Sequence, residues 1–451
     1  MQIDTDPLAA LRAVEIELDR RWPESRIEPS LDRIAALVDL LGMPQRSNPV
    51  LHIAGTNGKT SVARMLDALL RGIGLRVGRY TSPHLQRVTE RISLHSEPIS
   101  PERYVEAYRD IERYVAMVDA GSQIPMSKFE VLTGMAFATF ADAPVDAAVV
   151  EAGLGGSWDA TNVADAAVAA ITPVAVDHVN YLGSDLAGIA AEKAGIIKPG
   201  SVVVLAEQSP VVSGVIAARA AEVGATAARE GMEFGVLHRD IVAGGQQLRL
   251  QGLGGVYDGI FLPLHGEHQS SNAVLALAAA EAFFGAGATR SLDVDAVRDA
   301  FATVTAPGRL ERVRVAPSVL LDGAHNPHGA RALAAALREE FAFRRLVAVV
   351  GVMRDKDVAG ILGELEPVVD EVVVTASSSK RGMDVDKLAA VAREVVGAQR
   401  VRVEAQLPEA IEAAVASAEE VAPGESGAAV VVTGSVAMVG EARTLFGRQP
   451  Q

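Results

Sequence analysis

A glycine-rich loop near the start of the chain carries residues suited to binding a phosphate. The segment GTNGKTS, residues 55–61, follows a short apolar run and precedes a stretch with helical spacing. Glycines let backbone N–H groups approach phosphate oxygens, and the N-terminus of a helix adds partial positive charge. Lys59 would reach the β- and γ-phosphates of a nucleotide, and the hydroxyl of Thr60 or Ser61 could face Mg²⁺. Because Ile53 stands where the general pattern has its first glycine, an ordinary glycine-rich turn remains the alternative.

Three titratable side chains lie at the ends of apolar strands or within an apolar helix. Glu151 ends a short apolar run, where a carboxylate can hold Mg²⁺ or be solvated. His178 lies just beyond another such run, at the edge where open α/β sheets bind ligands. A lone histidine is more often structural, however, and imidazole is unusual on Mg²⁺. Lys193 lies in the apolar helical segment IAAEKAGII, where an amine must be paired, be modified or extend to water.

The elements that must position these residues alternate between short apolar strands and helices. Such alternation predicts mainly parallel sheets covered by helices. Between residues 224 and 264, glycine-rich turns separate alternating runs, which predicts a small antiparallel patch. The segment TAPG, residues 305–308, is the candidate linker. We therefore predict an α/β fold: a doubly wound, mainly parallel P-loop domain over residues 1–305 and a smaller Rossmann-like α/β domain over residues 306–451.

Composition excludes several classes of protein. The 451 residues contain no cysteine, which excludes a disulfide framework, a thiolate metal site and a cysteine nucleophile. The net charge of −15 argues against a general nucleic-acid binder. No secretory signal is recognised, and no apolar run approaches the roughly 20 residues of a membrane helix. An N-K-x-D guanine signature is absent, which favours ATP over GTP. We expect a cytoplasmic monomer that binds neither nucleic acid nor membrane.

A set of short segments follows one order along the chain. The segments are GTNGKTS, YTSPHL, EAGLGGSWDATN, DHVNYLG, EKAGIIKPG, GEHQSSNA, PGRLE and DGAHNP. Together they resemble the folylpolyglutamate synthase/dihydrofolate synthase family of the Mur ligase superfamily. Each segment is weak by itself, whereas the ordered set from Gly55 to Pro327 is specific.

The resemblance implies an ADP-forming carboxylate–amine ligase. ATP would phosphorylate the carboxylate of dihydropteroate or a reduced folate, and the α-amine of L-glutamate would displace phosphate from the acyl phosphate. Such chemistry depends on positioning and charge neutralisation more than on a protein nucleophile. The implied cofactors are ATP and Mg²⁺, and a second divalent or monovalent cation is left open.

The resemblance also implies groups of site residues. Those matching the family's nucleotide contacts are Thr56, Asn57, Gly58, Lys59, Thr60, Ser61, Asn272, Arg309 and Asp322. Those matching magnesium ligands are Ser82, Glu151 and His178. Those matching catalytic positions are Lys59, Lys193 and His325. Lys193 matches a lysine that is carbamylated in the superfamily, which would turn the buried amine into an anion able to meet cations.

A last group matches the family's pteroate contacts. Its members are Glu28, Pro29, Ser30, Ser127, Lys128, Phe129, Glu130, Trp158, Asp159 and Ala160. Phe129 or Trp158 could stack on a flat ring, or both could be core aromatics. The chain departs from the family at Ser157, where an arginine is usual. That departure leaves substrate preference and efficiency open.

Two other functions compete with this interpretation. A Mur-type ligase acting on a UDP-sugar would need a domain of around 100 residues before the phosphate loop, and only about 50 residues precede it. A catalytically silent ATP-binding regulator would need none of the ordered acidic, histidine and arginine positions. The motifs do not separate dihydrofolate synthase from folylpolyglutamate synthase activity, and our working prediction is an enzyme with both.

Overall fold

The structure, a computed structural model, describes residues 6–22, 28–285, 291–421 and 427–451. Its strands are β1 (Val50–Ala54), β2 (Val77–Tyr80), β3 (Ile92–Leu94), β4 (Glu97–Pro98), β5 (Ala147–Glu151), β6 (Ala166–Ile171), β7 (Val202–Leu205), β8 (Thr226–Arg229), β9 (Gly235–Val242), β10 (Gly245–Gln251), β11 (Val256–Leu262), β12 (Glu311–Arg314), β13 (Ser318–Leu321), β14 (Arg345–Val350), β15 (Glu371–Val374), β16 (Val401–Val403) and β17 (Ala428–Thr433). They form three sheets.

Helices cover these sheets. They are α1 (Pro7–Asp19), α2 (Asp32–Leu40), α3 (Lys59–Gly72), α4 (Pro101–Gly121), α5 (Lys128–Asp142), α6 (Val179–Leu182), α7 (Leu186–Ala194), α8 (Pro210–Val223), α9 (Glu267–Phe283), α10 (Val294–Ala302), α11 (Pro327–Glu340), α12 (Val358–Leu365), α13 (Val385–Val396), α14 (Leu407–Val421) and α15 (Val436–Leu445). Short 3-10 turns occur at Pro44–Arg46, Val88–Arg91, Ala160–Val163 and Ala398–Arg400. Within the described ranges, no helix combines the length and apolar character required to cross a membrane.

The largest sheet has the order β4-β3-β2-β5-β1-β6-β7-β8. All neighbours from β2 to β8 in this order are parallel, and β3 and β4 are added antiparallel at one edge. Both β1 and β5 are buried along their whole length, because α3, α9 and α10 cover one face while α1, α2, α4, α5, α7 and α8 cover the other. The predicted doubly wound, mainly parallel sheet is confirmed.

The two other sheets are smaller. The antiparallel sheet β11-β10-β9 confirms the predicted patch and packs its apolar side against α9. The last sheet, β12-β13-β17-β14-β15-β16, is parallel apart from β12. Helices α11, α12 and α13 cover one face and α14 and α15 the other, which confirms the Rossmann-like second unit. The boundary predicted at residues 305–306 lies between α10 and β12.

Candidate active site

A cavity of about 970 Å³ lies where the carboxyl ends of the central strands face the smaller α/β unit. From the large sheet it is lined by the phosphate loop, the turn after β2, the end of β5 and the first turn of α9. From the other side it is lined by the loop after β13 and by residues after β14. A site in this position agrees with the rule that open α/β sheets bind ligands at strand carboxyl ends.

The phosphate loop has the backbone that anion binding requires. Gly58 is the N-cap of α3 with φ +90°, and a Cβ there would lie 2.5 Å from the Oδ1 atom of Asn272. Lys59 Nζ donates to the carbonyl oxygens of Gly55 and Thr56, both at 3.2 Å. The loop therefore presents the N-terminus of a 14-residue helix together with an ammonium group. All six predicted loop residues, Thr56 to Ser61, line the cavity, as does Asn272.

Glu151 is buried beside this loop, with only 2% of its surface exposed. Its carboxylate accepts hydrogen bonds from Thr60 Oγ1 at 3.0 and 3.1 Å and from the Ser82 backbone N–H at 3.4 Å. Burial raises the pKa of Glu151, although Lys59 and these donors favour the charged form. A bound cation would stabilise the carboxylate further, so this position fits a metal ligand.

His178 lines the same cavity and has left-handed backbone geometry, with φ +52°. Burial, opposed by Asp177, lowers the pKa of its imidazole to about 4, so that the ring is neutral at pH 7 and able to bind a metal. Across the described residues, no cluster of three or more His, Asp or Glu side chains is suited to a metal. The predicted metal ligands Ser82, Glu151 and His178 all line the same cavity.

A lysine that the sequence analysis missed joins the two sides of the cavity. Lys356, after β14, places its Nζ atom 2.6 Å from Asp177 Oδ1, and its side chain is 7% exposed. Asp177 Oδ2 accepts from Asn326 Nδ2 at 2.9 Å, and Asn57 Nδ2 donates to Asn326 Oδ1 at 3.1 Å. In the sequence, Lys356 stands in the polar run RDKD, which resembles a solvated loop. Its position just beyond a strand end is the signal that could have identified it.

Lys193 does not extend to water. The residue is 4% exposed, and its Nζ atom donates to the carbonyl of Gly55 at 2.8 Å. It lines a small cavity behind the phosphate loop, next to Lys59 and Asp177. Burial and the charge of Lys59 lower the pKa of Lys193 to about 7. The alternative that the side chain extends to water is therefore wrong, and a large fraction of the amine is neutral near pH 7.

The predicted residues of the linker and of the smaller unit also reach the cavity. Arg309, Asp322 and His325 all line it. Asp322 is buried and accepts from the backbone N–H groups of Leu310 and Ala324, both at 2.9 Å. It therefore fixes the linker to the loop that carries His325. Burial lowers the pKa of His325 to about 4, so its ring is neutral at pH 7.

The predicted pteroate residues separate into two sets. Those that line the cavity are Glu28, Ser30, Ser127, Phe129, Glu130, Trp158, Asp159 and Ala160. Pro29 is exposed and is not part of the cavity wall. Lys128 also lies off the wall, because its Nζ atom pairs with Asp19 Oδ1 at 2.6 Å.

Several polar members of this set already have partners within the protein. Ser127 and Glu130 form the capping box of α5, and Glu130 Oε1 also accepts from Arg33 Nε at 2.9 Å. Asp159 accepts from the backbone of Leu154 at 2.8 Å and is 3% exposed. These carboxylates therefore position the cavity wall. Arg33, which also lines the cavity, was missed because it reads as a polar position on an amphipathic helix.

The aromatic side chains form part of the wall and are only half-buried. The Phe129 ring lies 6.0 Å from that of Tyr80, and a Cβ on Gly153 would lie 2.5 Å from its Cζ atom. The Trp158 ring passes close to Gly155. Both rings line the cavity, and Phe129 also packs against the core formed by α1, α2, α4 and α5.

The position of Ser157 shows which part of the site the replacement of the family's usual arginine can affect. Its Oγ atom donates to the carbonyl of Glu192 at 3.1 Å, and its backbone N–H donates to the same oxygen at 2.9 Å. The next residue, Trp158, is part of the cavity wall, whereas Ser157 is not. Ser157 thus lies between the wall and the last turn of α7.

We expect Ser157→Arg to lower KM for an anionic pterin substrate about threefold and to leave KM for ATP nearly unchanged. The added cation lies near the C-terminus of α7, where it is favoured, and beside Trp158. Initial-rate kinetics with each substrate varied in turn checks this, with Ser157→Gln as the uncharged control. Equal changes in both KM values would contradict it.

Comparison with known proteins identifies the class. Residues 119–280 match the Mur ligase middle domain, and residues 308–436 match the Mur ligase glutamate ligase domain. The fold, together with the phosphate loop in its cavity, is thus that of a Mur-type ligase.

Individual relatives narrow the family. A dihydrofolate synthase/folylpolyglutamate synthase of Mycobacterium tuberculosis is 59% identical over 99% of this chain and 96% of its own length. A crystal structure of M. tuberculosis folylpolyglutamate synthase complexed with ADP and AMPPCP superposes with a TM-score of 0.94 at 58% identity, covering 99% of this chain and 100% of that one. A bifunctional Yersinia pestis enzyme complexed with AMPPNP and a Mn ion superposes with a TM-score of 0.82 at 30% identity, covering 97% and 98%. The chain belongs to the folylpolyglutamate synthase/dihydrofolate synthase family and is a ligase.

Proposed function

We propose that the chain adds L-glutamate to the carboxylate of dihydropteroate and of reduced folates, with ATP converted to ADP. The single observation that carries this proposal is the continuity of the cavity, which runs from the phosphate loop at Lys59 to the aromatic wall at Phe129 and Trp158. A carboxylate held by the wall can therefore meet the γ-phosphate of ATP. The relative from M. tuberculosis bears both activities in its name, which supports both acceptors.

In the proposed reaction, the acceptor carboxylate oxygen attacks the γ-phosphorus, and ADP leaves with the electrons of the broken P–O bond. Lys59 and the N–H groups of its loop stabilise the charge on the transferred group. The glutamate amine then attacks the acyl carbon, phosphate leaves, and the amine loses a proton. Lys356, Arg309 and His325 come from the opposite side of the cavity, so docking of the smaller unit would exclude water from the acyl phosphate.

A divalent cation would be held by Ser82, Glu151 and His178, and we propose Mg²⁺. Such an ion neutralises phosphate charge when ATP is bound. The hydroxyl, the buried carboxylate and the neutral imidazole are chemically suited to it, although Mg²⁺ prefers oxygen ligands. A second cation is part of the proposal only if carbamylation makes Lys193 anionic. A cytoplasmic location and a monomeric state stay predictions.

Glutamate-dependent ADP release tests the proposed function. The assay contains Mg-ATP and L-glutamate, and is run with dihydropteroate and with tetrahydrofolate in parallel. We expect release with both acceptors and products heavier by one glutamyl unit in mass spectra. Release with one acceptor would restrict the enzyme to that branch, and no release with either would reject the proposed activity.

A further inference from the structure

The domain linker is joined to the smaller α/β unit by a buried guanidinium far along the chain. Arg443 on α15 is 1% exposed. Its Nε and Nη2 atoms donate to the two carboxylate oxygens of Glu311 at 2.8 and 3.2 Å. A bidentate pair of this kind fixes both distance and orientation. Glu311 Oε2 also accepts from the backbone N–H of Gly308 at 2.8 Å, so Arg443 restrains the residue that precedes Arg309.

The same guanidinium also reaches the large sheet domain. Its Nη1 atom donates to Gln86 Oε1, and Gln86 Nε2 donates back to Thr444 Oγ1 at 3.1 Å. Gln86 ends the turn that begins at Ser82, the proposed metal ligand. The Glu90 carboxylate anchors the end of that turn by accepting from the backbone N–H groups of Leu85 and Gln86 at 2.8 and 3.0 Å.

The parts joined by Arg443 are in close contact. A Cβ on Gly440 of α15 would lie 1.8 Å from the carbonyl oxygen of Leu85. A Cβ on Gly308 would lie 2.8 Å from Val439 Cγ1. The turn after β2, the linker and α15 are therefore in direct contact around the side chain of Arg443.

We propose that Arg443, through Glu311 and Gln86, is a positioning residue that sets two nucleotide-side groups, Arg309 and Ser82, relative to each other. Arg443 itself lines no part of the cavity. It acts on ATP and metal binding and leaves the glutamate and pterin sides unaffected. Only the KM measurements in the test rest on the proposed function, because the affinity for nucleotide is measured without turnover.

The test uses the full-length variants Arg443→Met, Arg443→Lys and Gln86→Leu. The control is Arg345→Met, which removes another C-terminal guanidinium, paired with Glu371 at 2.7 Å and remote from the linker. Each protein is assayed for the Kd of Mg-ADP by calorimetry, for the three substrate KM values and for melting temperature. Calorimetry does not depend on turnover, so a failure of the proposed activity is distinguishable from a failure of this inference.

We expect Arg443→Met and Gln86→Leu to weaken Mg-ADP binding and raise KM for ATP about tenfold. KM for glutamate and folate should change less than about twofold, and Arg443→Lys should weaken nucleotide binding less than Arg443→Met does, since lysine keeps the positive charge but cannot form the bidentate pair. Arg345→Met should lower only the melting temperature. If Arg443→Met does not fold, the nucleotide affinity of Gln86→Leu decides the test, because Gln86 is only half-buried and its replacement should be tolerated. Unchanged nucleotide affinity, or an equal rise in all three KM values, would overturn the inference.

Discussion

Replacing Lys59 by alanine is expected to lower glutamate-dependent ADP release by about 100-fold or more. The ammonium group lies at the N-terminus of α3, within 3.2 Å of two loop carbonyls, where it would bind the γ-phosphate. Its loss removes charge stabilisation that grows as the phosphoryl group is transferred. The fall should therefore be in kcat and should not be overcome by more ATP.

The control for this variant is Lys387→Ala, which removes an exposed lysine on α13 outside the cavity. Melting temperatures of both proteins are measured, because Lys59 favours the charged form of the buried Glu151 and its loss could also affect stability. Turnover of Lys59→Ala near that of Lys387→Ala would show that the phosphate loop does not serve catalysis.

Replacing Lys193 by alanine is expected to lower turnover by about 100-fold, and short carboxylates such as acetate or formate should partly restore it. We propose that Lys193 is carbamylated, because its buried amine has a pKa lowered to about 7 and only a neutral amine reacts with CO₂. The alanine variant leaves space behind the phosphate loop, next to Lys59. A small carboxylate can occupy that space and replace the missing anion.

The sign of the pH dependence follows from the same pKa. Below about pH 7 the amine is protonated and cannot form a carbamate, so activity in limiting CO₂ should rise as the pH increases through 7. Added bicarbonate should raise activity of the unaltered enzyme, and bicarbonate together with short carboxylates should partly restore Lys193→Ala. Lys198→Ala is the control, because Lys198 bonds the carbonyl of Asn162 at 3.0 Å outside both cavities.

A crystal structure is the direct measurement of the modification. Intact mass spectra do not serve, because carbamates decompose in acid. Density for an unmodified ammonium in crystals grown with bicarbonate above pH 7, or no rescue by any carboxylate, would contradict the proposal.

Local patterns predicted much of the site. The phosphate loop, the strand ends at Glu151 and near His178, and the helix around Lys193 were all recognisable because each depends on neighbours within a few residues. The sequence also indicated the antiparallel patch from its glycine-rich turns. These features need no knowledge of how distant segments pack.

The partners that several polar side chains take within the protein were not predicted. Ser127, Glu130 and Asp159 hold α5 and the loop before Trp158 in place, and their contact with substrate stays a prediction. The pairing of Lys128 with Asp19 was not predicted either. A side chain's residue type does not reveal which of several nearby polar groups it will satisfy.

The class of fold, the phosphate loop and the order of the family's motifs could all be predicted from the sequence, because these depend on short spacing and hydrophobic periodicity. Two ion pairs became visible only in the folded chain: Lys356 with Asp177, 179 residues away along the chain, and Arg443 with Glu311, which holds the linker. The first pair forms when the two folded units dock, and the second when the last helix of the smaller unit packs against its own sheet, so both depend on residues far apart in sequence. No local periodicity encodes that arrangement.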